Sequence, residues 1–340
     1  MAAATTLTGI SILACNYAVG EKRVPNEALA DLGCDPEWII KRTGIEQRFQ
    51  IGPDQATSDL AIAAGRACLE SAGVSPEEID LIVVGTMTPD HFTPSVANLV
   101  QSALGCRAAA VDMNAACSGF VYSLVTASQF IKTGCSKRAL VIGADAMTTV
   151  CDPSDVKTYP LFGDGAGAVL LGPAGESDAA GSTGGNESGI LAYELGSDGD
   201  QASCLLVPGG GSRQPLSSEV LSGRSNYLKM DGRTVFKWAV RLIPDAIQTM
   251  LDQSGLQLDD IDLIVPHQAN VRIIDAAIES MGIEREKFVV NLDRFGNTSA
   301  ASVPIALAEA LDDGRIAPGK VIMMLGFGAG LTWGSCLFRW

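Results

Sequence analysis

Two kinds of segment alternate along this chain. Short, nearly continuous apolar runs, such as residues 81–84 and 138–142, read as strands covered on both faces. Between such runs, apolar residues recur at helical spacing. Residues 120–132 are the plainest case, with Gly134 just past the end, where a left-handed residue stops a helix. Residues 172–189 carry no periodicity and are rich in Gly, Ser and other small residues, so they read as a linker or surface loop. A second irregular stretch, 208–225, reads as a long functional loop rather than a domain boundary.

The pattern repeats. Residues 71–83 read S-A-G-V-S-P-E-E-I-D-L-I-V, and residues 253–265 read Q-S-G-L-Q-L-D-D-I-D-L-I-V, an offset of 182. A strand expected at 110–113 is answered by 289–292, and one at 138–142 by 320–324. Matches in the same order point to a duplication in which each half runs helix, buried strand, loop, strand, helix, strand. The expected class is α/β, with two sheets covered by helices on both sides. Its halves are 1–171 and 190–340, joined through 172–189.

Composition acts mainly by exclusion. Of 340 residues, 47% are apolar and 19% charged, which supplies a core and gives no reason to expect disorder. The net charge of −15 argues against a nucleic-acid or anionic-membrane surface, since both need an excess of Lys and Arg. An acidic partner would need a local basic patch. No run of 18 apolar residues occurs and residues 1–9 lack a leader pattern, so a soluble cytoplasmic protein is expected. The nine cysteines include no C-x-x-C spacing, and they read as reduced thiols that mostly pack in the core. Only two histidines, His91 and His267, are available for imidazole chemistry.

Cys117 stands apart from the other thiols. It follows the strand A-A-V-D-M and the turn Asn114-Ala115-Ala116, and it opens the helix beginning Ser118-Gly119-Phe120. A thiol there feels the positive end of a helix and free N–H groups, so a lowered pKa is expected. His267 ends the repeated strand in V-P-H-Q-A-N, where the first half has Gly85 and Thr86, so one strand end alone has been specialised. Strand-end loops are where open α/β sheets gather ligands. Asn297, in F-G-N-T-S-A-A-S, falls in the junction that the repeat pairs with that of Cys117, so the two junctions should face one another. A helix cap is the plain alternative for Asn297. His91 reads as a loop residue at a pocket rim. The glycine clusters 163–167 and 326–330 fit no nucleotide fingerprint and read as turns that let backbone approach the site.

The segments A-A-C-S-G-F, P-H-Q-A-N, G-N-T-S-A-A-S and G-F-G-A-G-L-T-W-G together resemble β-ketoacyl-acyl carrier protein synthase III over nearly the whole chain. The resemblance implies a thiolase-like five-layer α-β-α-β-α fold and a homodimer. It implies decarboxylative condensation of an acyl-CoA primer, expected to be acetyl-CoA, with malonyl-acyl carrier protein to start fatty-acid synthesis. No cofactor or metal is implied, acyl-CoA being a substrate. Carried over by position, Cys117 is the nucleophile, His267 and Asn297 hold the malonyl thioester carbonyl, and the N–H groups of Cys117 and Ala329 form the oxyanion hole. Trp38 and Arg42 match nucleotide contacts of coenzyme A, and Phe236, Ala269 and Asn270 match the pantetheine tunnel. Lys237 and Arg272 match the basic residues that dock the carrier protein, and Phe92 and Thr93 match the acyl-pocket rim.

Three departures qualify the resemblance. Val156 and Lys157 stand where relatives place an arginine against the adenine, which implies a nucleotide clamp that is looser or built differently. Glu279 and Ser280 replace basic residues of some relatives, which implies a smaller docking patch. Thr93 replaces a bulky aromatic, which weakens the expectation of acetyl-only selectivity. Rival readings are a type III polyketide synthase, a condensing enzyme of secondary metabolism, and a cysteine hydrolase with Cys, His and Asn in the same chain order. A non-catalytic scaffold subunit would have little need of all three residues.

Overall fold

The computed structural model describes residues 6–175 and 187–340. Two five-stranded sheets dominate it. The first runs Ile10–Val19, Asp164–Pro173, Ala139–Ala146, Leu81–Gly85, Ala109–Met113 across the sheet. Its last three strands are parallel and the others antiparallel. The second repeats that order with Gly189–Ser197, Thr332–Arg339, Val321–Gly328 and Leu263–Pro266, the last two being parallel. Its remaining strand, Leu7–Thr8, comes from the other half of the sequence and pairs with Gly189 and Ile190. The strand Asp164–Pro173 also reaches two residues into the stretch expected to be a linker, whose central part, 176–186, lies outside the described residues.

The expected strand at 289–292 is not formed. Only a single parallel bridge, Ile264 to Phe288, and the bond from Val289 N–H to the Ile264 carbonyl continue the sheet there. The Gln268 side chain takes over the next partners. Its amide donates to the Val289 carbonyl at 3.0 Å, and its oxygen accepts from Asn291 N–H at 3.0 Å. A side chain thus satisfies backbone groups that a ladder would otherwise pair.

Helices fill three layers around the sheets. Gly119–Lys132 and Ser302–Asp312 lie between them in one apolar cluster that takes residues from both, among them Phe120, Leu124, Val141, Val265 and Met324. Thr57–Ala72 and Val96–Leu104 cover the outer face of the first sheet. Gly232–Ser254 and Val271–Met281 cover that of the second. The result is five layers, α-β-α-β-α. Fully buried central strands explain the continuous apolar runs of the sequence. The helix 119–132 stops as its sequence predicts, with Gly134 at φ 76°. The two sheets' parallel strand ends and the two middle helices' N-termini all meet at one place.

Candidate active site

Cys117 reaches that meeting point on an unusual turn. Ala116 has φ 46°, a left-handed value that costs an L-residue roughly 1–2 kcal/mol. The Asn114 side-chain oxygen accepts from Ala116 N–H at 3.3 Å, and Ser118 Oγ donates to the Ala115 carbonyl at 2.7 Å. Residues Ala116–Ser118 form a 3-10 turn, and the α-helix proper begins at Gly119. The junction fits only because glycine faces it. A Cβ at Gly328 would lie 2.9 Å from the Cys117 nitrogen, and one at Gly326 would lie 2.8 Å from the Ser118 Cα. The space before the Cys117 N–H is therefore kept open by a missing side chain.

Asn297 sits on the matching turn of the other half. Its side-chain oxygen accepts from Ser299 N–H at 2.9 Å, and Ser299 takes φ 52°. That bond leaves the Asn297 amide NH2 as the end available to the cavity. Ser299 then joins the site together. Its hydroxyl donates to Cys117 Sγ at 3.4 Å, and its carbonyl accepts from Ser302 Oγ at 2.8 Å. Ser302 Oγ in turn lies 2.6 Å from His267 Nδ1. The His267 ring also packs edge-on against Phe327, with centroids 5.1 Å apart.

The side chains of Cys117, His267 and Asn297 line one cavity of about 170 Å3. Phe236, Ala269, Asn270, Ile273 and Phe327 are among its other walls, so it is largely apolar. Burial pushes the Cys117 thiol up to about 12, against the lowered value expected of a helix N-terminus. The Ser299 hydroxyl acts in the opposite sense, and the nearby Asp145 carboxylate adds to the rise. Burial likewise holds His267 down to about 3, so its imidazole is neutral. Desolvation outweighs the helix end here, and thiol and imidazole both rest uncharged.

Asp145, fully buried, anchors the second junction. One oxygen accepts from Met87 N–H, Thr88 N–H and the hydroxyls of Thr86 and Thr88, and the other accepts from Ala300 N–H at 3.1 Å. Burial raises its pKa in spite of these bonds. Sequence reasoning missed Asp145, Ser299 and Ser302. An acid inside the apolar run A-L-V-I-G-A-D-A was a usable signal for the first, but the serines offered none beyond helix-start composition.

The remaining expected residues divide into two groups. At one mouth, Asn270 donates through its amide to the Arg42 carbonyl at 3.1 Å and caps the helix Val271–Met281. Arg42 stacks on the half-exposed Trp38, and Arg272 stacks on Phe236, with exposed Lys237 next in sequence. Phe92 and Thr93 are not brought into the Cys117 cavity. They line a separate hollow with His91, Asp112 and Asn114, beyond the Cys117 turn, and Phe92 is 94% exposed. Val156 and Lys157 are exposed, and Glu279 lies on the last turn of Val271–Met281. All nine cysteines are free. Among the described residues, no group of three or more His, Cys, Asp or Glu is placed to hold a metal ion, and no helix is long and apolar enough to cross a membrane.

Comparison with known proteins bears on the same residues. A family described as 3-oxoacyl-[acyl-carrier-protein (ACP)] synthase III matches residues 111–199, and its C-terminal counterpart matches 251–340. The β-ketoacyl-[acyl-carrier-protein] synthase III of Rhodopirellula baltica is 50% identical over 98% of this chain and 99% of its own length. Among solved structures, the 3-oxoacyl-[acyl-carrier-protein] synthase III of Aquifex aeolicus superposes with a TM-score of 0.88 at 37% identity, covering 98% of this chain and all of its own. The Pseudomonas aeruginosa enzyme of the same description gives 0.86 at 39% identity, with 98% of each chain covered.

Proposed function

Because the chain belongs to the β-ketoacyl-acyl carrier protein synthase III family of thiolase-fold acyltransferases, we propose that Cys117, His267 and Asn297 carry out its reaction. The enzyme condenses an acyl-CoA primer with malonyl-acyl carrier protein, releasing carbon dioxide and starting fatty-acid synthesis. The observation that carries the residue assignment is the convergence of those three side chains on one largely apolar cavity.

In the first half-reaction the Cys117 sulfur attacks the acyl carbonyl and coenzyme A leaves as the thiol. The N–H groups of Cys117 and Ala329 hold the oxyanion, which suits the opening that Gly328 leaves before the Cys117 nitrogen. In the second, His267 and the Asn297 NH2 hold the malonyl thioester carbonyl while carbon dioxide departs. The resulting enolate attacks acyl-Cys117. A dry, apolar site strengthens both sets of hydrogen bonds, and it also favours loss of a carboxylate as neutral gas. Covalent catalysis of this kind predicts ping-pong kinetics.

The substrate arm enters past Phe236, Ala269 and Asn270. Trp38 and Arg42 meet the nucleotide end of coenzyme A, and Lys237 and Arg272 receive the acidic carrier protein. Phe92 and Thr93 form the rim of the acyl pocket, which is supported by Phe92 also lining a hollow with Ala115, Ala116 and Ala329 beside the Cys117 turn, and the working form is a homodimer, as the resemblance implies. Halves 1–171 and 190–340, joined through 172–189, act as one catalytic unit that is cytoplasmic and needs no cofactor. Intact-protein mass tests the scheme. Acetyl-CoA should leave an acetyl adduct on Cys117 that disappears when malonyl-acyl carrier protein yields the acetoacetyl product and carbon dioxide. An adduct that only hydrolyses would replace condensation by hydrolysis.

A further inference from the structure

The bonds around His267 fix where its proton lies. A serine hydroxyl has one proton to give and can accept in addition. Ser302 spends its proton on the Ser299 carbonyl, 2.8 Å away, and so meets His267 Nδ1 at 2.6 Å as an acceptor. We infer that Ser302 is a positioning residue that holds resting His267 in the tautomer protonated at Nδ1, leaving the Nε2 lone pair directed into the cavity beside Cys117.

This tautomer satisfies two hydrogen bonds. In the other, Ser302 must turn its O–H to Nδ1, and the bond to the Ser299 carbonyl is forfeited. Ser302 is 2% exposed, so no bulk water makes up the loss. A neutral thiol facing a bare imidazole nitrogen suits the first half-reaction. The thiol proton passes to Nε2 as the sulfur–carbon bond forms at the acyl carbonyl. When the carbon–sulfur bond to coenzyme A breaks, the proton moves from Nε2 to the departing sulfur, and His267 ends neutral. Donation to the malonyl carbonyl then requires the alternative tautomer: water admitted once coenzyme A has left gives a proton to Nε2 and takes the one released from Nδ1, and Ser302 reverses its hydroxyl to bond the bare Nδ1. One hydroxyl thereby serves both roles of the same ring.

The inference rests on Cys117 being the nucleophile, yet it can be tested apart from that assignment. The chain contains only two histidines, so nitrogen NMR of 15N-histidine-labelled protein gives two sets of ring signals, which His91→Gln assigns. His267 in the unliganded protein should carry its proton on Nδ1. Ser302→Ala should move population to the Nε2-protonated form, and Ser302→Thr, which keeps a hydroxyl, should restore the original pattern. In single turnovers, Ser302→Ala should slow acylation by acetyl-CoA about fivefold, the effect of one net hydrogen bond, without slowing decarboxylation of malonyl-acyl carrier protein. A resting proton on Nε2 would overturn the inference. So would an equal loss in both half-reactions with the tautomer unchanged. If the parent protein forms no acyl adduct, the nucleophile assignment fails instead, and the NMR result still decides the tautomer.

Discussion

The turns at 114–118 and 297–301 are the same backbone device put to different uses. In each, an asparagine oxygen accepts the N–H two residues on, that residue is left-handed without being glycine, and a middle-layer helix follows. The first turn then presents Cys117, and the second presents Ala300. The N–H of Ala300 is bound by Asp145, whereas that of Cys117 faces the gap left by Gly328. One junction is thus tied down and the other is left open, as the proposed oxyanion site requires. The asparagines differ too, since Asn297 lines the cavity with Cys117 while Asn114 lines the hollow beyond the turn. The two halves present a matched pair of turns, and the proposed reaction needs them unequal.

The largest effect should come from Cys117, the proposed nucleophile. Cys117→Ala should abolish the acyl adduct and lower condensation at least about 10⁴-fold, and Ala300→Cys in that background should not restore it, as read by intact mass and product formation. Next is the asparagine pair. Asn297→Ala should still acylate Cys117 but lose about 10²–10³-fold in malonyl decarboxylation, the cost of one preorganised donor. Asn114→Ala should stay within about threefold by the same carbon dioxide assay and lose about 1 kcal/mol of stability. Comparable losses in both would erase the asymmetry.

Acid should act through the specialised strand end. The folded protein holds His267 down to about 3 against an ordinary 6.5, so between those values the folded form binds fewer protons than the unfolded chain. The stability contributed by neutral burial is complete above about pH 6.5 and is lost as pH falls towards 3. Urea midpoints at pH 7 and pH 5 should therefore differ less in His267→Gln than in the parent. The smallest effect is expected at Ala116→Gly. Relief of a left-handed alanine is partly cancelled by glycine's flexibility, leaving a gain of no more than about 1 kcal/mol in thermal melting.

Much of this was legible from the sequence because buried parallel strands and capped helices leave strong local patterns. The repeat foretold two sheets, and the specialised strand end at His267 lines the same cavity as Cys117 and Asn297. Residues 289–292 misled because V-V-N-L has strand composition, and only the tertiary structure reveals that Gln268 captures its backbone. Local sequence also placed Cys117 at a helix start but gave no measure of its burial, which reverses the expected shift in its pKa. Ser299 and Ser302 were invisible because their importance lies in contacts 182 and 35 residues away.

The strand Leu7–Thr8 carries a consequence for how the molecule could have arisen and how it can be taken apart. It belongs to the first half of the sequence but completes the edge of the second sheet, against Gly189 and Ile190. Severing the chain between Pro173 and Gly189 would therefore not release two autonomous units. The second fragment would hold an edge that only the first can complete, and mixing them should reconstitute a non-covalent pair. Fusion of two gene copies, on this view, was followed by the one-way loan of a strand that made separation costly.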